Sequence, residues 1–377
     1  MLRLAGRAPM LFALAVASIV LAPTKSLAQD ITTEAHWEID AHVGIVGAGF
    51  GGGTSRPLPS ADGFTTVTGA SSAAVSSWFF GAGTALFNQV NGRAGNPSAS
   101  IVSLDQALQE GITRRRGGIN AGFTVARWLS PRLALEIQGD YAPSGIVMNN
   151  LARASLENTT TSYTEAWTQL FNAGLAADGV ASDVLVSGEA ETGGGHQFVL
   201  TGGLKAIVHR KRRFRSYVGG GAGISITSTR PLNATLKGAY QFAANVPTSS
   251  GTVRMPFSER DEVSIRAEFG QSRTFVGIVH GGFEYYSDSR RGIRFDVAVL
   301  LSPNHVSTVL DATPSVLVQE PGAAIAGTTS PSIQFRSRPA SVTRSTLTGP
   351  SIRNFETFKT EGIQTQIKLS IAYFLRF

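Results

Sequence analysis

The chain has 377 residues, a formal charge of +7 and no cysteine. The absence of cysteine excludes disulfides, cysteine-ligated metal sites and a lipid-modified cysteine at the N-terminus. Only 16% of the residues are charged, against about 25% in typical soluble domains. No basic stripe with interleaved aromatic residues is present, so the sequence predicts no nucleic-acid partner.

The N-terminus has the pattern of a secretory signal peptide. Arginines precede an apolar run at residues 11–22, and small residues lead to a cleavage site after Ala28. Residues 1–28 are therefore predicted to be removed from an exported bacterial chain, and residues 29–377 to form one domain. No later stretch contains 18 uncharged apolar residues, so the sequence predicts no transmembrane helix.

A glycine-rich stretch follows, HVGIVGAGFGGG at residues 42–53. Its Gly47, Gly49 and Gly52 match the G-x-G-x-x-G fingerprint of dinucleotide-binding proteins. That fold needs a helix to begin at the glycines, but prolines occupy the positions of the helix, and no acidic residue lies at the spacing for the ribose. The stretch is therefore predicted to end a strand, and no cofactor is predicted.

Alternation of apolar and polar residues recurs in eight segments. The predicted strands are residues 36–50, 118–129, 133–141, 196–209, 215–227, 274–286, 293–301 and 363–377. Three connections are short, and four are long, at about 51–117, 142–195, 228–272 and 302–361. The last strand alternates for 15 residues. A soluble edge strand so long and apolar invites aggregation, whereas a membrane-spanning strand needs this pattern. We therefore predict an all-β fold, a closed antiparallel transmembrane β-barrel of about eight strands with short helices in its long loops.

The alternating connections and the final strand resemble the small eight-stranded outer-membrane barrels of the OmpA/OmpX/OmpW type. This resemblance implies a bacterial outer-membrane location, short periplasmic turns and long extracellular loops. It also implies that the barrel-assembly machinery reads the apolar face of the last strand, namely Leu369, Ile371, Tyr373, Leu375 and Phe377. The chain departs from the pattern in its longer loops, and, unlike in OmpA, no peptidoglycan-binding domain is expected after the last strand.

The polar faces of the strands predict the contents of the barrel. An eight-stranded barrel is barely wide enough inside for side chains, so opposite charges should pair and fill it, with a narrow solute path as the alternative. The lumen-facing set is Glu38, Asp40, His42, Glu136, Asp140, Lys205, His280, Glu284, Arg294, Asp296 and Lys368. Aromatic residues near the predicted periplasmic ends should form an interfacial girdle, namely Trp37, Trp128, Phe214, Tyr285, Tyr286 and Tyr373.

The long loops carry their own signals. Residues 161–179 have helical spacing and a capping box at Ser162 and Glu165, and residues 103–111 predict a shorter helix. The apolar stretch 76–87 is expected to pack with them in a cap, the alternative being a surface that awaits a partner. Two further strands remain possible if a loop contains a hairpin, for example around residues 232–243 or 333–343.

Catalytic signals are weak. His305 and Ser307 form an H-x-S pair that resembles the motif of outer-membrane lipid A deacylases, but the acid that a triad needs is not evident. No residues have convincing metal-ligand spacing. We predict a non-enzymatic structural or surface-interaction protein; the alternatives are a channel for small or apolar solutes and a lipid A-modifying enzyme. The expected partners are outer-membrane lipid and lipopolysaccharide, the assembly machinery, and an extracellular partner bound through the loops.

Overall fold

A computed structural model describes the chain from His36 onward, with gaps. The described residues are 36–48, 52–59, 65–67, 70–93, 100–143, 145–175, 183–211, 213–248, 251–312, 315–320, 332–335 and 351–377. The predicted signal peptide and the middle of the glycine-rich stretch lie outside them.

Strands dominate the described residues. They are β1 (Trp37–Ala48), β2 (Gly53–Ser55), β3 (Thr65–Val67), β4 (Ala70–Val75), β5 (Thr113–Arg115), β6 (Gly118–Ser130), β7 (Leu133–Ala142), β8 (Ile146–Met148), β9 (Asp183–Arg210), β10 (Phe214–Thr229), β11 (Leu232–Thr248), β12 (Gly251–Phe269), β13 (Arg273–Tyr286), β14 (Arg291–Pro303), β15 (Val306–Ala312), β16 (Ser315–Glu320), β17 (Ser332–Phe335), β18 (Ile352–Thr360) and β19 (Ile363–Arg376). The helices are α1 (Gly81–Arg93), α2 (Asp105–Glu110) and α3 (Asn150–Leu175). No described helix has an apolar stretch long enough to cross a bilayer.

Among the described residues, eight antiparallel strands close into a barrel. Their order is β1, β6, β7, β9, β10, β13, β14 and β19, and β19 pairs with β1 to complete the circle. Closure gives every barrel strand two hydrogen-bonded neighbours, so no edge is left without backbone partners. The predicted fold class is confirmed, because each of the eight predicted segments forms one strand of the barrel.

The outer surface of the barrel is apolar. On β19 the side chains of Leu369, Ile371, Tyr373 and Leu375 are between 42% and 50% exposed, while their even-numbered neighbours Phe374 and Ala372 are buried. The same alternation exposes Ile119, Ile137, Phe275 and Phe295 on other strands. Water would solvate this belt poorly, whereas lipid chains would cover it, which is the arrangement of a transmembrane barrel.

A second sheet rises from the end of the barrel that carries the long connections, here called the loop end. The strand β9 has 28 residues, and its first part leaves the barrel to pair with β11. Gly193, Gly194 and Gly195, all with positive φ, lie where β9 passes from barrel to cap. The cap sheet runs β9, β11, β12, β15, β18 and β2. We call this sheet, with β5, β8 and the three helices, the cap.

The hairpin of β11 and β12 lies in a region where sequence allowed two extra barrel strands. It joins the cap sheet instead, so the described barrel keeps eight strands. The strand β17 also falls at the other suggested position, residues 333–343, but it pairs with β16 in a separate four-stranded sheet with β4 and β3.

One apolar core holds the cap together. The segment Trp78 to Phe80 packs against Trp167, Tyr163 and the buried face of the cap sheet. The rings of Phe79 and Tyr163 stack with centroids 4.4 Å apart, and those of Trp78 and Trp167 meet edge-on at 5.8 Å. Leu310 and Ala312 of β15 belong to this core. The buried positions of β14 are even-numbered, and so are those of β15 apart from Val309, which follows a register shift. The helices therefore cover the face of the sheet that continues the inside of the barrel.

The predicted start of the long helix was wrong. The helix α3 begins at Asn150, where the Asn149 side chain accepts a hydrogen bond from the backbone N–H of Ala152 at 2.7 Å. Ser162 lies inside the helix and donates its hydroxyl to the carbonyl of Thr159 at 3.2 Å. Its spacing to Glu165 mimics a capping box without forming one. The shorter helix α2 occupies residues within the predicted range 103–111.

Candidate functional site

A buried lysine lies in the barrel interior, near the end that carries the short turns and lies opposite the loop end. The Nζ atom of Lys205 is 3.0 Å from Glu38 Oε1 and 2.8 Å from Glu284 Oε1. It also lies over the rings of Trp128 and Tyr217, 5.2 Å and 5.0 Å from their centroids. Lys205 has no exposed surface, so its charge is balanced by these carboxylates and aromatic faces and not by water.

Two arginines extend this cluster. Arg294 forms ion pairs with Glu38, Asp40 and Glu284, the last with Nη2 2.9 Å from Oε1. Arg376 donates from Nε to Oε2 of Glu38 at 2.6 Å, and its guanidinium lies 4.6 Å from the ring centroid of Trp128. Glu38 therefore contacts three cations supplied by three different strands.

Two histidines occupy the next layer, each between two carboxylates. The ring nitrogens of His42 lie 3.2 Å from Asp40 and 2.8 Å from Asp140. Those of His280 lie 3.1 Å from Asp296 and 2.5 Å from Glu136. A neutral imidazole carries a single N–H, so a carboxylate at both nitrogens matches the doubly protonated ring.

The charges of this network balance. Within the described lumen, the six carboxylates in these contacts meet four permanent cations and the two histidines. The carboxylates are Glu38, Asp40, Glu136, Asp140, Glu284 and Asp296, and the permanent cations are Lys205, Arg294, Lys368 and Arg376. Lys368 reaches Asp140 Oδ2 at 2.9 Å. Counting only the ion-paired groups, with both imidazoles protonated, the sum is zero, which limits the cost of burying so many charges.

Little empty space remains between the described charged side chains. A cavity of about 20 Å³ lies between the two histidines, Arg294 and Tyr217; a single water needs roughly 10–15 Å³ of such volume. Toward the loop end, an apolar layer of Val199, Val276, Ile278, Ala298 and Leu300 follows. Above that layer the cap begins, where the backbone N–H of Ile112 donates to Thr308 Oγ1 at 3.3 Å. Described side chains therefore occupy each layer of the lumen from the charged residues to the cap.

The structure places all eleven sequence-predicted lumen residues on the inner side of the barrel, where they contact one another as described. Sequence reasoning missed Arg376, Tyr217 and Asn120, which belong to the same network. Arg376 lies on the same polar face of β19 as Lys368. The alternation of faces along β19, followed to its last residue, would therefore have placed Arg376 in the lumen.

Two residues of the predicted aromatic girdle lie inside the barrel. Trp128 donates from Nε1 to Glu38 at 3.2 Å, and the hydroxyl of Tyr286 donates to Glu284 at 2.8 Å. Their placement in the girdle was wrong because both are even-numbered on strands whose odd-numbered residues face outward. Trp37, Phe214, Tyr285 and Tyr373 are exposed on the outer surface.

The H-x-S pair does not form a triad. His305 is exposed in the turn before β15, and Ser307 lies on β15 opposite Glu268 and Lys359. No hydrogen bond joins His305 to Ser307 within the described residues. Asp311, the first acidic residue after this pair in the chain, is paired with Arg266. In the described part of the chain, no group of three His, Asp or Glu side chains is arranged to hold a metal ion.

No protein-family model and no curated protein sequence matches the chain. Among solved structures, the outer membrane protein OprG from Pseudomonas aeruginosa aligns with 92% of this chain and 99% of its own at 8% identity and a TM-score of 0.34. The outer membrane protease OmpT from Escherichia coli aligns with 93% and 99% at 7% identity and a TM-score of 0.27. The toluene transporter TodX from P. putida aligns with 91% and 89% at 9% identity and a TM-score of 0.19. These likenesses are too distant to assign a subfamily or an activity.

Proposed function

We propose that the protein is a plugged outer-membrane barrel that anchors a folded cap at the bacterial surface, with a structural or contact-making role and no catalysis. The observation that carries this proposal is the filled lumen centred on Lys205, Glu38 and Glu284. The predicted signal peptide and the long connections gathered at one end favour the outer membrane, with the loop end outside the cell.

The folded cap supports a role for the protein in binding a partner outside the cell. Its strands and helices share one apolar core with stacked aromatic rings, so it presents a defined surface in place of loose loops. We propose that an extracellular partner binds this surface. We further propose that the assembly machinery reads the lipid-facing side of β19, with Tyr373 and Leu375, together with Phe377, which follows it.

The filled lumen predicts that the protein does not conduct ions across a bilayer. Purified protein that migrates differently on a gel before and after boiling, as closed barrels do, should be reconstituted into planar bilayers. We expect no ion-sized conductance steps, because neither the charged layers nor the apolar layer leaves a continuous path for water. Regular conductance steps from such folded protein would contradict the plug and favour the channel alternative.

The geometry at His305 predicts that lipid A is left unmodified. Mass spectrometry of lipid A should give the same species from cells that express the wild type, from cells that express His305→Ala and from cells that lack the protein. The expectation follows because no described hydrogen bond joins His305 to Ser307 and because Asp311 is paired with Arg266. A lipid A species present with the wild type and lost with His305→Ala would overturn it.

A further inference from the structure

A basic cleft separate from the lumen lies at the base of the cap. We call it the arginine groove; its volume is about 460 Å³. Its polar lining consists mainly of Arg114, Arg116, Arg153, Arg230 and His196. The arginines come from distant parts of the chain: two from the segment at β5, one from α3 and one from the end of β10.

The floor of the groove is bare backbone. The residues Gly193 to Gly195 line it, and the short strand β8 pairs with Gly193 and Gly194. A Cβ atom at Gly193 or Gly195 would collide with neighbouring carbonyl groups, and Gly145 on the opposite wall is equally crowded. Glycine at these positions lets the walls approach and keeps side chains out of the space between the arginines.

Among the described residues, the lining of the groove supplies no counter-charge to its arginines. None of the described lining residues is acidic, and none of the four arginines forms an ion pair within the described part of the chain. His196 is engaged by the hydroxyl of Tyr141, 2.7 Å from Nδ1. The four arginines are exposed around one cleft and concentrate positive charge there, so the groove attracts an anion. Planar guanidinium groups suit phosphate oxygens in particular.

The position of the groove indicates where that anion comes from. The ring of Tyr141 stacks on His196 at 5.7 Å, and Tyr141 and Phe198 are exposed on the lipid-facing side of the barrel. The groove therefore opens where the apolar belt ends, at the level of lipid headgroups. A ligand with phosphates in the groove would lay its acyl chains along Tyr141 and Phe198.

We infer that the arginine groove binds the phosphate groups of a phosphorylated glycolipid in the outer leaflet of the membrane. This inference rests on the proposed outer-membrane location. It goes beyond that proposal by naming the residues, the ligand chemistry and the lipid-facing entrance of the site.

The test is a binding titration of folded protein in detergent. The probes are bisphosphorylated lipid A, the same lipid after phosphatase treatment, and inorganic pyrophosphate. The proteins are the wild type, a groove variant with Arg114→Gln and Arg230→Gln, and a matched control with Arg273→Gln and Arg353→Gln. The control loses the same charge from exposed arginines away from the groove.

We expect the wild type to bind phosphorylated lipid at least tenfold more tightly than either the dephosphorylated lipid or pyrophosphate. The groove variant should lose at least tenfold in affinity for phosphorylated lipid, and the control should stay within twofold of the wild type.

Three results would overturn the inference. The first is equal affinity for the phosphorylated and the dephosphorylated lipid. The second is an equal loss of affinity in the groove variant and in the control. The third is pyrophosphate binding as tight as that of the lipid, which would indicate a site for a free anion. Each protein is first checked for heat-modifiable migration and insertion into vesicles. A wild type that fails this check contradicts the proposed function itself. A barrel that inserts but binds both lipids equally contradicts this inference alone.

Discussion

Replacing Lys205 with methionine is expected to lower the free energy of unfolding of the barrel by about 3–5 kcal/mol. Methionine has a similar length, so the packing against Trp128 and Tyr217 survives while the charge is lost. Glu38 and Glu284 would then face each other across the lumen with one cation fewer between them. Unfolding by urea in lipid vesicles, followed by tryptophan fluorescence, measures the change.

A matched substitution separates this effect from the loss of any lysine. Lys237 is exposed on β11, and Lys237→Met should change the free energy of unfolding by less than about 0.5 kcal/mol. Adding Glu284→Gln to Lys205→Met should restore part of the lost free energy of unfolding, because it removes one of the two carboxylates that Lys205 had balanced. Equal effects at Lys205 and Lys237, or no recovery in the double variant, would contradict a charge-balanced plug.

Replacing Asp261 with asparagine is expected to remove most of the pH dependence of cap stability. Asp261 lies outside the membrane-spanning strands and has no exposed surface. Its Oδ2 accepts hydrogen bonds from the backbone N–H of Trp78 at 2.7 Å and from the Tyr163 hydroxyl at 3.5 Å. Burial among apolar side chains raises the pKa of this carboxyl from 3.8 to about 7.

The direction follows from the raised pKa. Between the pKa of the unfolded chain near 3.8 and the folded pKa of about 7, the folded cap holds a proton that the unfolded chain releases. The contribution of Asp261 to the stability of the cap is therefore largest below pH 4, and it falls as the pH rises to about 7, by up to about 4 kcal/mol. Above that range Asp261 is ionised in both states and adds no further slope.

The measurement is limited proteolysis or near-ultraviolet circular dichroism of the cap from pH 4 to pH 8. Asp261→Asn keeps a hydrogen-bond acceptor for Trp78 without a charge, so its profile should be flatter and its cap more stable at pH 8. The neighbouring Glu262 is exposed on the same strand, and Glu262→Gln should keep the wild-type profile. A profile of Asp261→Asn that coincides with the wild type would show that Asp261 does not hold the proton.

Alternation along single strands carried most of the fold prediction. In β19, successive side chains point to opposite sides, so the sequence alone separates Leu369 and Ile371 from Lys368. The error at Trp128 and Tyr286 has a simple origin. Both are close to a strand end, which suggested an interfacial position, but the face of a residue depends on its parity and not on its height in the membrane.

The cap was harder to predict. Its core joins Trp78, Trp167 and Leu310, which lie in three separate loops, and no local pattern shows that these loops meet. The hairpin of β11 and β12 carries ordinary strand signals, and nothing in its sequence states that it pairs with β9 and β15 outside the barrel. The start of α3 depended on the side chain of Asn149, whereas the more familiar spacing at Ser162 lay within the helix.

The sequence by itself determined the eight core strands of the barrel, the side of each strand that meets lipid and most of the charges in the lumen. These are consequences of a two-residue repeat, which is local. Only the tertiary structure decided which charges meet, because partners such as Lys205 and Glu38 are 167 residues apart and come together through barrel closure and register. The same holds for the four arginines of the groove, whose nearness depends on the path of β9 through its glycines into the cap.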